Sequence, residues 1–225
     1  LAEYNDPRLS RAFITKQGTS GKEQAPGTAD NAVYAPNGTP EQGTSKYGTS
    51  LFMYSISAPT LLLSYHELKF LEAEALCRLE RDAKSALKDA VVAGLLNAEN
   101  SFTISRKELG KTLINAASSI TEAEAESYFD NTIEAKYTAE PLKTTMTQKY
   151  FALWGASGEA TESYNDVRRM KGLGENFIEL KNPNSFPLRC PYGNSDTTTN
   201  AEVKAAYGNG QYVYSENVWW AGGSR

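Results

Sequence analysis

The run from Ser64 to Leu96 most limits what this chain can become, because it holds two amphipathic segments separated by only a short break. "SYHELKFLEAEAL", residues 64–76, opens with Ser64 followed three residues later by Glu67. That spacing is a capping box, in which hydroxyl and carboxylate each satisfy a backbone donor that the first helical turn leaves unpaired. Leu68, Leu71, Ala75 and Leu79 then recur at helical spacing, while Ala73 and Ala75 let a second helix come close. In "RDAKSALKDAVVAGLL" the residues Ala83, Ala86, Leu87, Ala90, Val91, Gly94 and Leu95 fall on one apolar face. Two such helices joined by a tight turn fold back on each other. The stretch therefore predicts an antiparallel pair resembling a tetratricopeptide unit, although no strict sequence repeat is present.

The same signature recurs downstream. Ser105 with Glu108 and Thr121 with Glu124 predict helices opening over "RKELGKTLINAAS" and "EAEAESYF". "PLKTTMTQKYFALWG" begins with a proline suited to a first helical turn, aligns Leu142, Met146, Tyr150 and Leu153, and ends at Gly155. A last amphipathic helix runs through "ATESYNDVRRMKG", with Tyr164, Val167 and Arg168 on neighbouring turns and Gly172 as its C-cap. The expected fold is mainly α, with helix pairs over 61–174 and a large irregular, loop-rich part on either side. Residues 1–60 form the loop-rich region: Lys16 to Thr49 is so rich in Gly, Thr, Ser, Pro and Asn that it supplies no core and predicts a long surface loop. Residues 175–225 are irregular and end in "VWW", and the rings of Trp219 and Trp220 are expected to bury by wrapping onto the helices.

Chain-wide properties remove several functional classes. A chain of 225 residues can bury a substantial core. Its net charge of -4, with no basic patch, argues against a nucleic-acid partner. It has no apolar run of membrane-spanning length and no signal peptide, and it starts at Leu1, so it reads as a piece of something longer. Cys77 and Cys190 lie far apart without metal-ligand spacing, which predicts two buried thiols or, as the alternative, one long-range disulfide.

Candidate chemistry is sparse. With His66 the sole histidine, this chain by itself builds neither a Ser/His/Asp triad nor a multi-histidine metal site, and no metal or cofactor is expected. Glycoside hydrolysis needs two carboxylates flanking one bond, which brings Glu67, Glu72 and Glu74 into view. Glu67 and Glu74, however, stand two helical turns apart, and Glu67 already has a capping role. "KQGTSGKEQ" holds Gly, Ser and Lys without phosphate-loop spacing, and Asn37-Gly38-Thr39 is a short match to a glycosylation sequon. Arg168 and Arg169, beside Asp166, suit either of two roles: clasping a carboxylate ligand, or tying their helix to the aromatic tail. Tyr34 and Tyr47, set among small polar residues, and Tyr54 just beyond them are the candidates for stacking on the apolar C–H faces of sugar rings.

The order of several motifs is familiar. "DPRL" (6–9), a variable Gly-rich loop, "SYHELKFLEAEAL" (64–76), "QKYFALWG" (148–155), "YNDVRRMKGLG" (164–174), "PLRCPYGNSDTTTN" (187–200) and "VWW" (218–220) together resemble the SusD/RagB family of nutrient-binding outer-membrane lipoproteins of Bacteroidetes. Tyr192-Gly193 stands where that family more often has Tyr-Pro, Asp196 where it has Glu, and Tyr164 where it has Trp. The resemblance implies tetratricopeptide-like helix pairs carrying a loop-rich subdomain, and no catalysis. It implies a cell-surface lipoprotein that holds an oligosaccharide or another nutrient over a TonB-dependent transporter of the SusC type. Family members are considerably longer, so an N-terminal half with the lipid anchor and the first helix pairs is expected before Leu1. Two other classes stand beside this one: a helical scaffold that binds protein without binding glycan, and a helical hydrolase dependent on Glu67 or Glu74.

Overall fold

Ser64 opens α1 (Tyr65–Arg78): its Oγ accepts a hydrogen bond from Glu67 N at 3.1 Å. The other half of the expected box is not made. Ser64 N donates instead to the Glu159 carboxylate, ninety-five residues away, and the Glu67 carboxylate turns to the Lys149 ammonium at 3.0 Å. A charged partner inside the protein outbids a neutral amide. The helix closes in a Schellman motif: Glu80 takes φ 56°, its N–H reaches Cys77 O at 3.1 Å, and Arg81 N reaches Leu76 O at 2.9 Å.

The computed structural model describes residues 1–17, 22–24, 49–109, 118–179 and 185–223, which divide into two units, Leu1–Glu179 and Leu180–Arg225. In the first unit α1 packs antiparallel on α2 (Lys84–Leu109), the hairpin expected from the sequence. At its start Lys84 N donates to Asp82 Oδ1 and Ala83 N to the Tyr137 hydroxyl. No new helix opens at Ser105, because α2 runs through it: Ser105 is buried and its Oγ donates to Ser101 O, while Glu108 accepts from Ile56 N and Ser57 N.

Thr121 does cap α3 (Glu122–Tyr128), accepting from Glu124 N at 3.2 Å, and here too the glutamate goes elsewhere, to Arg11. A single π-helical turn (Phe129–Ile133) leads into α4 (Glu134–Ala139), and Pro141 starts α5 (Pro141–Ala152) as expected. α6 (Glu162–Gly172) has its left-handed cap residue at Gly174, not Gly172: Gly174 has φ 76°, and Glu175 N bonds Met170 O at 2.8 Å. The architecture is mainly α, in antiparallel pairs of tetratricopeptide type.

The core lies between α1, α2, α3 and α5, where Phe70, Leu87, Leu95, Phe102, Phe129 and Ile133 are fully enclosed. Each such side chain contributes about 1.5–3 kcal/mol by leaving water. Gly94 lets α2 approach α5 closely, since a Cβ there would stand 3.0 Å from that of Ala152. α5 is the polar surprise. Thr144 to Lys149 are all buried, with Thr145 and Thr147 hydroxyls returning to the carbonyls one turn back.

The predicted core face of α1 is the exposed one. Leu68 (51%), Leu71 (42%) and Leu79 (66%) face solvent, whereas His66, Glu67, Phe70, Ala73 and Glu74 are buried. Before α1, the N-terminal segment is pinned by Arg8, which grips Asp6 through two side-chain bonds (2.6 and 2.9 Å) and donates to Phe151 O. The ends of the expected loop are strands: β1 (Phe13–Gln17) pairs antiparallel with β2 (Lys22–Gln24) and β3 (Thr49–Ser50), Thr15 opposite Gln24 and Ile14 opposite Thr49.

The second unit carries two short helices, α7 (Asn194–Thr199) and α8 (Ala201–Tyr207), where an irregular tail was expected. Trp219 and Trp220 are not buried. They are 71% and 68% exposed and meet each other edge to face at 5.7 Å. Among the described residues of this unit only Thr197 and Gly210 are buried, so the segment gathers no apolar interior to receive two indoles. Cys190 is exposed and Cys77 half-buried, both as free thiols, against the expected pair of buried ones.

Candidate functional site

Two of the recesses in the first unit bear on the residues singled out from the sequence and on the aromatic end of α5. The first is aromatic. The last turn of α5 brings Tyr150, Phe151 and Trp154 to one end of the helix, and the chain turns away at Gly155 with φ 78°. A side chain at Gly155 would collide with the Phe52 ring, so glycine is what lets that ring tuck in. Trp154 lies stacked on Phe13 (5.3 Å, 29°) and edge-on to Phe52 (5.1 Å, 84°). Phe13, Tyr150, Phe151 and Trp154 line, with Ser50 and Ser163, a recess of about 620 Å³. Phe13 belongs to β1 and Ser50 to β3, so the recess sits at the small sheet through which the chain enters and leaves residues 25–48. Tyr150 contributes a phenol hydroxyl to this lining. Ring faces with a few hydroxyls suit stacking and hydrogen bonding.

The second recess, about 610 Å³, lies between α1 and α6 and is acidic. A continuous relay of charges crosses it. Lys149, buried, is held by Glu67 (3.0 Å) and Asp166 (2.8 Å); Asp166 holds Arg169 (2.7 Å). Arg169 clasps both oxygens of Glu74, which also accepts from Arg78 (2.7 Å), and Arg78 in turn is bidentate to Glu175 (2.8 and 2.9 Å). Burial pulls the Lys149 ammonium down, and Asp166 and Glu67 more than restore it, so its pKa stands above the ordinary lysine value. For Glu74 burial pushes upward, but the two guanidinium groups override it and hold the carboxyl below its usual range. Burial raises Glu67, Lys149 offsetting only part. His66 is depressed by burial, with Glu159 opposing at 3.7 Å.

This relay decides between the readings of the α1 carboxylates. Glu67 and Glu74 are each committed to a cation of the same chain, which leaves no pair flanking an accessible bond. Both carboxylates are buried, and Glu67 spends its charge on Lys149 instead of the capping role expected of it. Arg169 does clasp a carboxylate, that of Glu74 within the protein, while Asp166 pairs with Arg169 and Lys149. Arg168 lies over its own helix neighbour Tyr164 at 5.6 Å, and Arg169 bonds to α1 and within α6.

Of the tyrosines singled out from sequence, Tyr34 and Tyr47 lie outside the described residues. Tyr54 ends the short 3-10 turn Leu51–Tyr54 and is half-buried against the core, outside the aromatic recess. Sequence reasoning passed over Trp154 and Phe13. The signal was present in "QKYFALWG", where a tryptophan precedes the glycine that ends a helix. Among the described residues, no group of three or more His, Cys, Asp or Glu is placed to hold a metal ion, and no helix is long and apolar enough to cross a membrane.

Comparison with known proteins follows the fold. The family profile matching residues 1–192 is SusD-like, described as starch-binding and associating with the outer membrane. A SusD/RagB family protein of solved structure from Bacteroides thetaiotaomicron VPI-5482 is similar at 65% identity over 100% of this chain and 48% of its own, with a TM-score of 0.88. A SusD homologue from Bacteroides fragilis NCTC 9343 shares the fold at 18% identity, covering 97% of this chain and 49% of its own, with a TM-score of 0.58. The chain thus spans about half the length of each. No curated protein matches it.

Proposed function

Since the chain belongs to the SusD-like family, we propose that it is part of a non-catalytic cell-surface protein that binds an oligosaccharide or another nutrient and delivers it to a SusC-like, TonB-dependent transporter of the outer membrane. The observation that carries this reading is the family match over residues 1–192, six-sevenths of the chain. The geometry supports it locally. The recess of Trp154, Phe13 and Tyr150 offers ring faces to the C–H faces of a sugar, and it adjoins the strands that bracket Tyr34 and Tyr47. Tyr34, Tyr47 and Tyr54 are proposed as further ligand-stacking residues on their chemistry alone. Membrane attachment is through a lipid anchor outside this chain.

Affinity electrophoresis through gels containing a panel of polysaccharides tests the proposal, run on this chain and on the longer protein. Retardation of both by at least one glycan, reduced by joint Tyr34→Ala and Tyr47→Ala replacement and by Tyr150→Ala, is the expected result. Unchanged affinity in the tyrosine variants removes those residues from the site. Failure of every glycan to slow either protein overturns the carbohydrate reading.

A further inference from the structure

A third recess, of about 620 Å³, is built by residues of α1, α2 and α3, and its lining shares no residue with that of the aromatic recess. Its volume lies within the range of small-ligand sites, roughly 300–1,000 Å³. Leu61, Val92 and Leu96 supply apolar lining, and the ring of Tyr65, 60% exposed, stands beside them. A large ring left in water next to aliphatic side chains gains free energy when a ligand covers it.

The polar part of the lining is mainly acidic. α3 brings Glu122 and Glu126, one helical turn apart, and α2 brings Asp89 and Asn97. Like charges at that spacing weaken the helix that carries them. Lys88, which also lines the recess, is engaged by both oxygens of Asp130 (2.7 and 2.9 Å). Asp89 pairs with Lys69 at 3.6 Å, and the same ammonium stands 5.8 Å from the centre of the Tyr65 ring. One cation thus holds an aromatic ring and a carboxylate side by side at the recess.

We propose that this recess is a second glycan subsite, one that takes a neutral sugar ring. The C–H face of the sugar lies on Tyr65, as an apolar face covers an aromatic one. Its hydroxyls donate to the carboxylates of Asp89, Glu122 and Glu126, and the Asn97 amide both donates and accepts. Hydroxyl donors are what a group of carboxylates lacks. A sugar with its own carboxylate or sulfate meets like charge here and is refused, so the acidic lining sets specificity as well as affinity. The inference rests on the proposed glycan-binding function and adds to it a second point of attachment, on the helices.

Isothermal titration of the longer protein counts the sites, with maltohexaose, cellohexaose, xylohexaose and mannohexaose as neutral probes and hexagalacturonate as the acidic one. At least one neutral probe is expected to bind twice per protein in the wild type and once in Tyr65→Ala. Tyr65→Phe, which keeps the ring, should retain both sites, and Asn97→Ala should weaken one of them about fivefold, the worth of a typical hydrogen bond. Hexagalacturonate should show no binding that Tyr65→Ala removes. A single neutral site lost in Tyr65→Ala and kept in Tyr150→Ala supports this recess against the aromatic one. Binding unchanged in both Tyr65→Ala and Asn97→Ala but lost in Tyr150→Ala overturns the subsite and leaves the glycan reading standing. Absence of binding by all four neutral probes overturns both.

Discussion

The two faces of α1 invert the usual distribution. The buried face carries His66, Glu67 and Glu74 beside Phe70 and Ala73, while the solvent face carries Leu68, Leu71 and Leu79. A hydrophobic stripe on a helix identifies a face that some surface covers, without saying which surface or whether it belongs to the same segment of chain. The buried face shows how charges are kept inside. Each carboxylate that leaves water meets a cation from another helix, Lys149 on α5 or Arg169 on α6, so the relay binds three helices by side chains and not by apolar contact. Such a relay fixes the mutual register of the helices, and it fails abruptly when one member is removed.

The largest expected effect follows directly. Lys149→Met keeps the volume but leaves Glu67 and Asp166 facing each other inside the protein, and should cost about 3–5 kcal/mol in urea unfolding. Adding Glu67→Gln and Asp166→Asn to that variant should recover much of the loss, because the uncompensated charges then disappear. If Lys149→Met unfolds at the wild-type midpoint, the buried face is not held by its charges and the contrast between the faces collapses.

Residue patterns announced much of this fold and concealed its polar interior. Ser64 and Thr121 as helix caps, the α1–α2 hairpin and Pro141 at the start of α5 rest on local spacing, and local spacing is written in the sequence. What failed was every inference needing a distant partner. Glu67 and Glu124 have the right spacing to complete capping boxes, but Lys149 and Arg11 compete for them from far along the chain. α5 buries a Thr-rich, Lys-bearing run that no apolar periodicity marks, since its partners are on α1 and α6. Ser105 opens nothing, because α2 was already helical when it reached that residue. The tryptophans of "VWW" are exposed because large rings bury only where an interior exists to take them. At the aromatic recess, Trp154 gained its meaning from Phe13 and Phe52, more than a hundred residues earlier in the sequence.

A smaller effect should separate the faces by pH. His66, the chain's only histidine, is buried with its Nε2 3.3 Å from Ser64 Oγ and 3.7 Å from Glu159. Burial lowers its pKa, and Glu159 opposes this only in part. The unfolded chain takes up a proton near pH 6.5, the folded chain only at lower pH. This contribution to stability is therefore complete above about pH 6.5 and is lost as pH falls from there through the folded value. Melting midpoints measured stepwise from pH 8 to 5 should fall in the wild type and run flatter in His66→Gln. A parallel decline in both would mean that His66 is not the group that titrates.

The smallest effect is the most direct comparison, because it sets one lysine against another. Lys69, half-buried at the edge of α1, reaches Glu72 at 3.0 Å and Asp89 at 3.6 Å, against 3.0 and 2.8 Å for the two pairs of Lys149. The partner carboxylates of Lys69 are about half exposed (49% and 48%), however, so its pairs exchange hydration for a contact of nearly equal worth and surrender side-chain freedom to make it. Lys69→Ala should leave the unfolding midpoint within experimental scatter. Any loss seen at low ionic strength should vanish near 1 M salt, where the screening length shrinks to about 3 Å. A salt-resistant loss in Lys69→Ala approaching that of Lys149→Met would show that burial does not distinguish the two faces of α1, and that the geometry of the ion pairs alone sets their strength.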